Sequence, residues 1–309
     1  MPWTNASIVL NSRDATSGQY NQLKFNAVNQ NVVQGQIHSI SVNELNFPYD
    51  IPNVQKGTTD SFNLSSTETD QVLVIEIPPG FYTGTELATA INDEIEAQAA
   101  ASTPVIPTGH YPVVKYDDVS NLFSFEAPTV APPTNPDPTW EITSPYTAPN
   151  GYPKPLPLGK DLLSMMGFLK SQAPLVVSSA PNEDPVLTAA QSAPLQFTQY
   201  VDICSPLLCQ YQYFRDGSTT NLARRADVIC RLYITNNVAT QENEGERPFV
   251  IQRQFMNARV MRWSAESSVG QIDINLFDDV GQPLQTTWQP RPYQITFNCY
   301  EQDKDSTTY

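Results

Sequence analysis

Apolar positions along residues 72–95 follow a period of two and then a period near four. The alternation in residues 72–77 predicts a strand, and the Pro-Pro-Gly sequence at 78–80 ends it because proline lacks a backbone donor. Thr83 and Glu86 have the spacing of a capping box, so they predict that a helix begins there. The buried stripe of this helix would be Leu87, Ile91 and Ile95.

Period-two alternation also predicts strands towards both ends of the chain. The pattern in residues 36–47 changes phase after Val42, which predicts a β-bulge. Residues 113–116 and 122–125 flank an Asp-Asp-Val-Ser-Asn sequence and predict a hairpin. Further strands are predicted at 7–10, 23–25, 60–64, 140–142, 195–203, 226–235, 249–255, 259–263, 270–277 and 293–300.

The middle of the chain combines a proline-rich stretch with short helical patterns. Ten prolines in residues 128–157 exclude a helix and disfavour a central strand, so we expect a long ordered loop or a polyproline stretch with one short strand near 140–142. Residues 205–210 predict a helical turn. Residues 160–169 predict a short helix or turn that buries Leu162, Leu163, Met166 and Phe168.

These elements favour a mainly β protein, a single jelly-roll β-sandwich with an inserted α+β domain. We assign residues 1–68 and 196–309 to the jelly roll and residues 69–195 to the insertion. Residues 1–34 are polar, with only two short strand patterns. They predict an extended N-terminal arm that is either disordered or laid across a neighbouring subunit.

The charge of the chain excludes several partners. A formal net charge of −15 repels phosphate backbones and anionic lipid, so neither nucleic acid nor a membrane surface is expected to bind. The sequence contains no apolar run long enough for a membrane span, and the start MPWTNASIVLNSR lacks the pattern of a secretory signal. We therefore expect the protein to remain in the compartment where it is made.

The cysteines predict neither a zinc site nor a disulfide framework. Their spacings fit no zinc pattern, and without an export signal we expect free thiols, although Cys204 and Cys209 are close enough in sequence for a bridge. Cys230 and Cys299 lie in alternating strand patterns and are expected to point inward.

Few residues point to catalysis, so we predict no enzymatic activity, no cofactor and no catalytic or metal-binding residue. The histidines, His38 and His110, lie in no GxSxG or HExxH motif. Three acidic pairs lie in predicted turns or loops: Asp117/Asp118, Asp278/Asp279 and Glu242/Glu244. Acids in turns commonly bond to the local backbone. A calcium site and a catalytic carboxylate pair are the alternatives.

Three residues are candidates for a subunit interface: Trp3, Arg224 and Arg225. The two arginines follow a turn sequence and could pair with acids of another subunit of this acidic chain, or else lie in a solvated loop. Trp3 would be buried or contact a subunit, with a sugar-binding platform as the alternative.

Seven phrases, in this order, resemble the penton (vertex) proteins of virophages and related viruses whose major capsid protein is a double jelly roll. The phrases are IPPGFYTGTELATAIN at 77–92, YDDVSNLFSF at 116–125, LLSMMGF at 162–168, YVDICSPLL at 200–208, QYFRDGSTTN at 212–221, ICRLYI at 229–234 and VGQIDINLFDDVGQPL at 269–284. None lies in the first 68 residues.

This resemblance implies a single jelly roll with an inserted upper domain, assembled as a homopentamer at each capsid vertex. It implies the major capsid protein as a partner, with minor capsid proteins and a host receptor as further candidates. The protein would be made and assembled in the host cytoplasm and reside in the virion. Related proteins are also minor capsid components other than the vertex.

Two other functions remain open. A host-attachment or spike protein with a carbohydrate-binding insertion domain would bind glycans measurably and be trimeric or monomeric. A polysaccharide-cleaving β-sandwich enzyme would release sugar with the acids at 117/118 or 278/279.

Overall fold

Strands dominate the described part of the chain, and the predicted mainly β class is confirmed. The computed structural model describes residues 6–26, 37–66, 71–128, 139–144, 161–179, 185–195, 198–209, 227–234, 250–262, 269–279, 281–286 and 290–301. The strands are β1 (Ala6–Asn11), β2 (Ser17–Gln19), β3 (Gln22–Asn26), β4 (Ile37–Pro48), β5 (Ser61–Ser66), β6 (Val72–Glu76), β7 (Val113–Asp117), β8 (Leu122–Glu126), β9 (Thr139–Thr143), β10 (Leu175–Ser178), β11 (Val186–Thr188), β12 (Tyr200–Cys204), β13 (Val228–Tyr233), β14 (Val250–Gln254), β15 (Val260–Arg262), β16 (Gln271–Phe277) and β17 (Gln294–Glu301). The α-helices are α1 (Gly84–Ala101), α2 (Leu162–Met165) and α3 (Pro206–Cys209).

The chain divides into two compact units. The first unit joins Met1–Ile51 to Thr198–Tyr309, and the second is the continuous stretch Pro52–Phe197. The second unit therefore begins earlier than the predicted insertion, residues 69–195. The reason is that β5 pairs with β6 and β9, which both belong to the second unit.

The strands of the first unit form two antiparallel sheets. Sheet I has the order β1-β17-β4-β14, and β15 also pairs with β4; sheet II has the order β13-β12-β16-β3-β2. The pairing is nested along the chain: β1 with β17, β3 with β16, β4 with β14 and β15, and β12 with β13. Successive pairs lie alternately in sheets I and II, so the chain folds back on itself as one long hairpin.

The predicted bulge is confirmed in the middle of β4. Thr296 of β17 lies opposite Glu44, whereas the next residue, Phe297, lies opposite Val42. Asn43 is therefore the extra residue, and it shifts the alternation so that Val42 and Leu45 are both fully buried.

The predicted N-terminal arm is wrong for residues 6–26. β1 pairs along its whole length with β17, β3 pairs with β16, and Leu10, Leu23 and Phe25 are buried. Each of these strands buries only one or two side chains, so its composition is as polar as that of an arm. Residues 1–5 and 27–34 lie outside the described residues.

The second unit contains its own sheets and its own core. Sheet III has the order β10-β9-β5-β6, and sheet IV has the order β11-β8-β7, in which the predicted β7–β8 hairpin is confirmed. The predicted short helix is confirmed as α2. The largest side chains of this core include Phe62, Phe123, Phe125 and Trp140, with α2 contributing Leu162, Leu163 and Met165.

Helix α1 begins at the predicted capping box. The Thr83 hydroxyl accepts a hydrogen bond from the Glu86 N–H at 3.2 Å, and the Glu86 carboxylate accepts one from the Thr83 N–H at 2.9 Å. The predicted stripe of Leu87, Ile91 and Ile95 is fully buried. Local sequence and tertiary packing therefore specify the same helix.

Helix α1 packs closely on β7. The Asn92 side chain donates to the carbonyl of Val114 and accepts from its N–H, both at 2.8 Å, so the helix partly satisfies the open edge of this strand. A Cβ atom on Gly84 would lie 2.2 Å from the ring of Tyr116, so only glycine fits at the first turn.

We predict that Gly84→Ala lowers the free energy of unfolding by about 1–3 kcal/mol, because the added methyl group overlaps the Tyr116 ring. Denaturant unfolding measures the change. In a Tyr116→Ala background the same substitution should cost much less, since the ring is gone. An equal cost in both backgrounds would show that the contact is not the cause.

Candidate interaction surfaces

The predicted interface residues Trp3, Arg224 and Arg225 lie outside the described residues, as does the pair Glu242/Glu244. The remaining predicted acidic pairs, Asp117/Asp118 and Asp278/Asp279, are described. The first pair belongs to the second unit and the other pair to the first unit.

The carboxylates of Asp117 and Asp118 hold the β7–β8 turn. Asp117 accepts hydrogen bonds from the Val119 N–H at 3.1 Å and from the Ser120 hydroxyl at 2.6 Å. The Ser120 hydrogen bond is the main cause that lowers the pKa of Asp117. Asp118 accepts from the Thr85 hydroxyl at 3.2 Å, which ties the turn to the start of α1. This is the use of turn acids that the sequence predicts.

Asp278 and Asp279 hold the turn after β16. Asp278 accepts from the Gln282 N–H at 2.8 Å, while the Asp279 carboxylate accepts from the Gln199 N–H at 3.2 Å. The carbonyl of Asp279 also accepts from the Tyr200 hydroxyl at 3.2 Å. The turn therefore fixes the beginning of β12. The carboxylates of Asp278 and Asp279 are both used in local structure.

The described residues contain no cluster of side chains suited to metal binding. No group of three or more His, Cys, Asp or Glu side chains in them could hold a metal ion. His110 uses its backbone carbonyl to accept from the Trp140 indole at 3.2 Å, and the side chain of His38 lies outside the described residues. Within the described ranges, no helix has the length and apolar character needed to cross a membrane.

All four cysteines are buried free thiols: Cys204, Cys209, Cys230 and Cys299. Cys230 and Cys299 point into the core, as the alternating pattern predicts. Burial raises the pKa of Cys209 to about 11 and also raises the pKa of Cys230 and Cys299. These three thiols are therefore protonated and unreactive at neutral pH.

We predict that a thiol-alkylating reagent at pH 8 labels the native protein slowly and labels all four cysteines rapidly in denaturant. Mass spectrometry of the intact protein counts the added groups. Labelling in denaturant without a reducing agent should still reach four groups. Only two groups under those conditions would mean that a disulfide is present.

The outward face of sheet II carries an ordered cluster of charged and aromatic residues. Arg231 of β13 lies opposite Asp202 of β12 and bonds it twice, Nε to Oδ1 at 2.6 Å and Nη2 to Oδ2 at 2.9 Å. The Arg231 guanidinium also lies 3.9 Å from the centroid of the Tyr200 ring, which contacts the Tyr233 ring at 5.9 Å between centroids. Hydrogen bonding to Asp202 raises the pKa of Arg231. Each member of the cluster therefore contacts the next.

We predict that Arg231→Met lowers the free energy of unfolding by roughly 1–3 kcal/mol, because it leaves the buried Asp202 carboxylate without its main partner. The double variant Arg231→Met/Asp202→Val should recover much of that loss, since it removes both charges. Urea unfolding distinguishes the two. Equal losses in the single and double variants would show that the ion pair is not the source.

Another buried acid, Asp273, holds the start of α3. Its carboxylate is buried, accepting from the Ser205 hydroxyl at 2.8 Å and from the Leu207 N–H at 3.1 Å. The predicted helical turn at 205–210 is thereby confirmed as α3, capped from the neighbouring strand β16.

Most of the exposed large apolar side chains in the first unit lie on edge strands. Among its described residues, these side chains are Val9, Tyr233, Val250, Met256 and Val260. Val9 lies on the edge strand β1, and the other four lie on β13, β14, β15 or the loop between β14 and β15. We call residues 228–233 together with 250–262 the β13–β15 flank. The exposure of these apolar side chains was not predicted, because alternation along a strand does not show whether that strand lies at the edge of its sheet.

The two parts of the β13–β15 flank belong to different sheets and are joined by a hydrogen bond. The Arg259 guanidinium donates to the carbonyl of Val228 at 2.7 Å, which joins the loop between β14 and β15 to the start of β13. Tyr233 is 60% exposed, Val250 59% and Met256 97%. Apolar patches of this kind on a soluble protein mark interaction surfaces.

No family model and no curated protein matches the chain. Among solved structures, it is similar to the mavirus penton protein, with 14% identity and a TM-score of 0.46 over 97% of this chain and 99% of that chain. It is also similar to a chain in the cryo-EM structure of the Sputnik virophage, with 14% identity and a TM-score of 0.40 over 97% of this chain and 98% of that chain. Similarity at this level is a resemblance and assigns no function.

Proposed function

We propose that this chain is a structural capsid protein that forms the homopentameric vertex of an icosahedral virus. Its site of action is the virion, after synthesis and assembly in the host cytoplasm. Its partners are four further copies of itself and the surrounding major capsid protein. Its role is contact between subunits and not conversion of a substrate.

The strand order of the first unit carries this proposal. Counting the β2–β3 hairpin and the β14–β15 pair as one position each, the eight positions pair first with last, second with seventh, third with sixth and fourth with fifth. A chain rolled up in this way into two sheets has the order of a jelly roll, an architecture that recurs in viral capsids, lectins and cupins. We therefore interpret the first unit as the predicted jelly roll.

The filled interior of the first unit supports a structural role. Both sheets contribute fully buried large side chains, among them Phe47 and Phe297 from sheet I and Ile203, Ile274 and Leu276 from sheet II. Protein interiors of this kind are closely packed, which suits a structural role.

The phrases that resemble penton proteins coincide with elements of both units. They cover the loop into α1, the β7–β8 hairpin and α2 in the second unit, and β12, β13 and β16 in the first. Because most of the described apolar residues in these phrases are buried, the resemblance concerns the fold rather than one surface motif. This supports a shared architecture of a jelly roll with a second unit inserted between β4 and β12, its third and fourth positions.

The two edges of sheet I differ, which favours a ring over a symmetric dimer. One edge is β1, and the other is formed by β14 and β15. Contact between unlike edges of successive copies is heterologous, and such contacts close into rings when the rotation per copy permits. A ring of five would use one edge as donor and the other as acceptor on every copy.

Native mass spectrometry and electron microscopy of the purified full-length protein test the proposal. We predict a particle of five times the 34.3 kDa chain mass and projection images with five-fold symmetry. Its interface should exceed about 2,000 Å² in total, as obligate contacts usually do, so the ring should survive dilution to micromolar concentrations.

A strictly monomeric protein that is absent from virions would contradict the proposal. A monomer or trimer that binds a glycan array would instead favour the attachment protein. The result thus separates the proposed function from its main alternative.

A further inference from the structure

The β13–β15 flank has the composition of a protein interface. Four of the five exposed large apolar side chains among the described residues of the first unit lie on it: Tyr233, Val250, Met256 and Val260. Aromatic residues, methionine and arginine are enriched at interfaces relative to the rest of a protein surface. Nearly complete exposure of a methionine at a loop tip is unfavourable in an isolated molecule and favourable where a partner covers it.

The charge of the flank is opposite to that of the chain. Residues 250–262 contain Arg253, Arg259 and Arg262 and no acidic residue, whereas the whole chain has 32 acidic and 17 basic residues. Arg259 is used internally, but Arg253 and Arg262 are exposed. On the neighbouring strand β4, Glu44 accepts a hydrogen bond from Gln252. The exposed charged side chains of β14 and β15 are therefore all cationic, although the chain as a whole is acidic.

The outer strands of the flank are open edges of their sheets. In the described part of the chain, β13 pairs only with β12, and β14 and β15 pair only with β4. An edge strand offers unpaired backbone groups to another chain. Elsewhere the fold covers such an edge, since Asn92 of α1 bonds the backbone of β7. Among the described residues, the β13–β15 flank therefore presents strand edges to which a partner chain can bind.

We propose that the β13–β15 flank binds an acidic surface of a second copy of this chain. The inference rests on the proposed function and names the surface through which each copy holds the next. Charge complementarity favours a second copy as the partner. A copy with a net charge of −15 attracts the arginine-bearing edge of its neighbour and repels the acidic surface of that neighbour elsewhere. Tyr233, held against Tyr200 beside Arg231, supplies a rigid anchor of the type that dominates binding energy.

Charge and apolar variants of the full-length chain test the two parts of this contact. Arg253→Glu/Arg262→Glu reverses the charge of the edge, and Lys56→Glu/Lys115→Glu is its control, since both of these residues are exposed and belong to the second unit. Met256→Asp tests the apolar contact, and Val119→Asp is its control because Val119 is 93% exposed on the β7–β8 turn. Sedimentation velocity over a range of concentrations measures assembly, and circular dichroism checks that each variant is folded.

We expect both flank variants to be folded and to assemble roughly 10- to 100-fold more weakly than the wild type, whereas both controls assemble as the wild type does. Raising the salt concentration should weaken the wild type and have less effect on Arg253→Glu/Arg262→Glu, because salt screens exposed charges.

Two results would overturn the inference and have different meanings. If folded flank variants assemble as tightly as the wild type, another surface joins the copies and the proposed vertex role still stands. If the wild type itself remains a monomer at every concentration, no second copy occupies the flank and the proposed function fails with it.

Discussion

The last described strand, β17, lies between β1 and β4, and the rest of the first unit depends on this pairing. β17 hydrogen-bonds to β1 on one side and to β4 on the other, so residues from both ends of the sequence form the middle of sheet I. The other strand pairs nest inside this one. The sheet is therefore incomplete until the C-terminal strand has been made. Such long-range pairing is slow to form because loop entropy is lost before the contacts are gained.

Nested pairing also explains how a complete second unit is tolerated inside the first. The stretch Pro52–Phe197 has its own sheets and its own core, so it does not depend on the strands that flank it. The strand edges differ in what covers them: Asn92 bonds the backbone of β7, whereas Tyr233, Val250, Met256 and Val260 are exposed on the β13–β15 flank.

Local features were predictable from the sequence, and long-range ones were not. The capping box at Thr83 and Glu86, the β7–β8 hairpin and the bulge at Asn43 all depend on residues close together in the chain. By contrast, β1 and β3 bury too few side chains to be distinguished from an arm, and their partners lie more than 240 residues away. The sheet to which β5 belongs depends on its neighbours, so the start of the second unit could not be read from alternation. The absence of acidic residues from 250–262 could be seen in the sequence. Its interpretation required knowing that β14 and β15 form an edge of sheet I.

Hydrogen exchange of the full-length chain, followed peptide by peptide, tests the nested pairing most directly. Amides that open only by global unfolding exchange slowest. Nested pairing predicts that peptides covering residues 37–48 and 294–301 share the slowest exchange in the first unit and that residues 6–11 are protected with them. Rapid exchange of residues 6–11 and 294–301, at the rate of an unfolded chain while residues 37–48 stay protected, would contradict it.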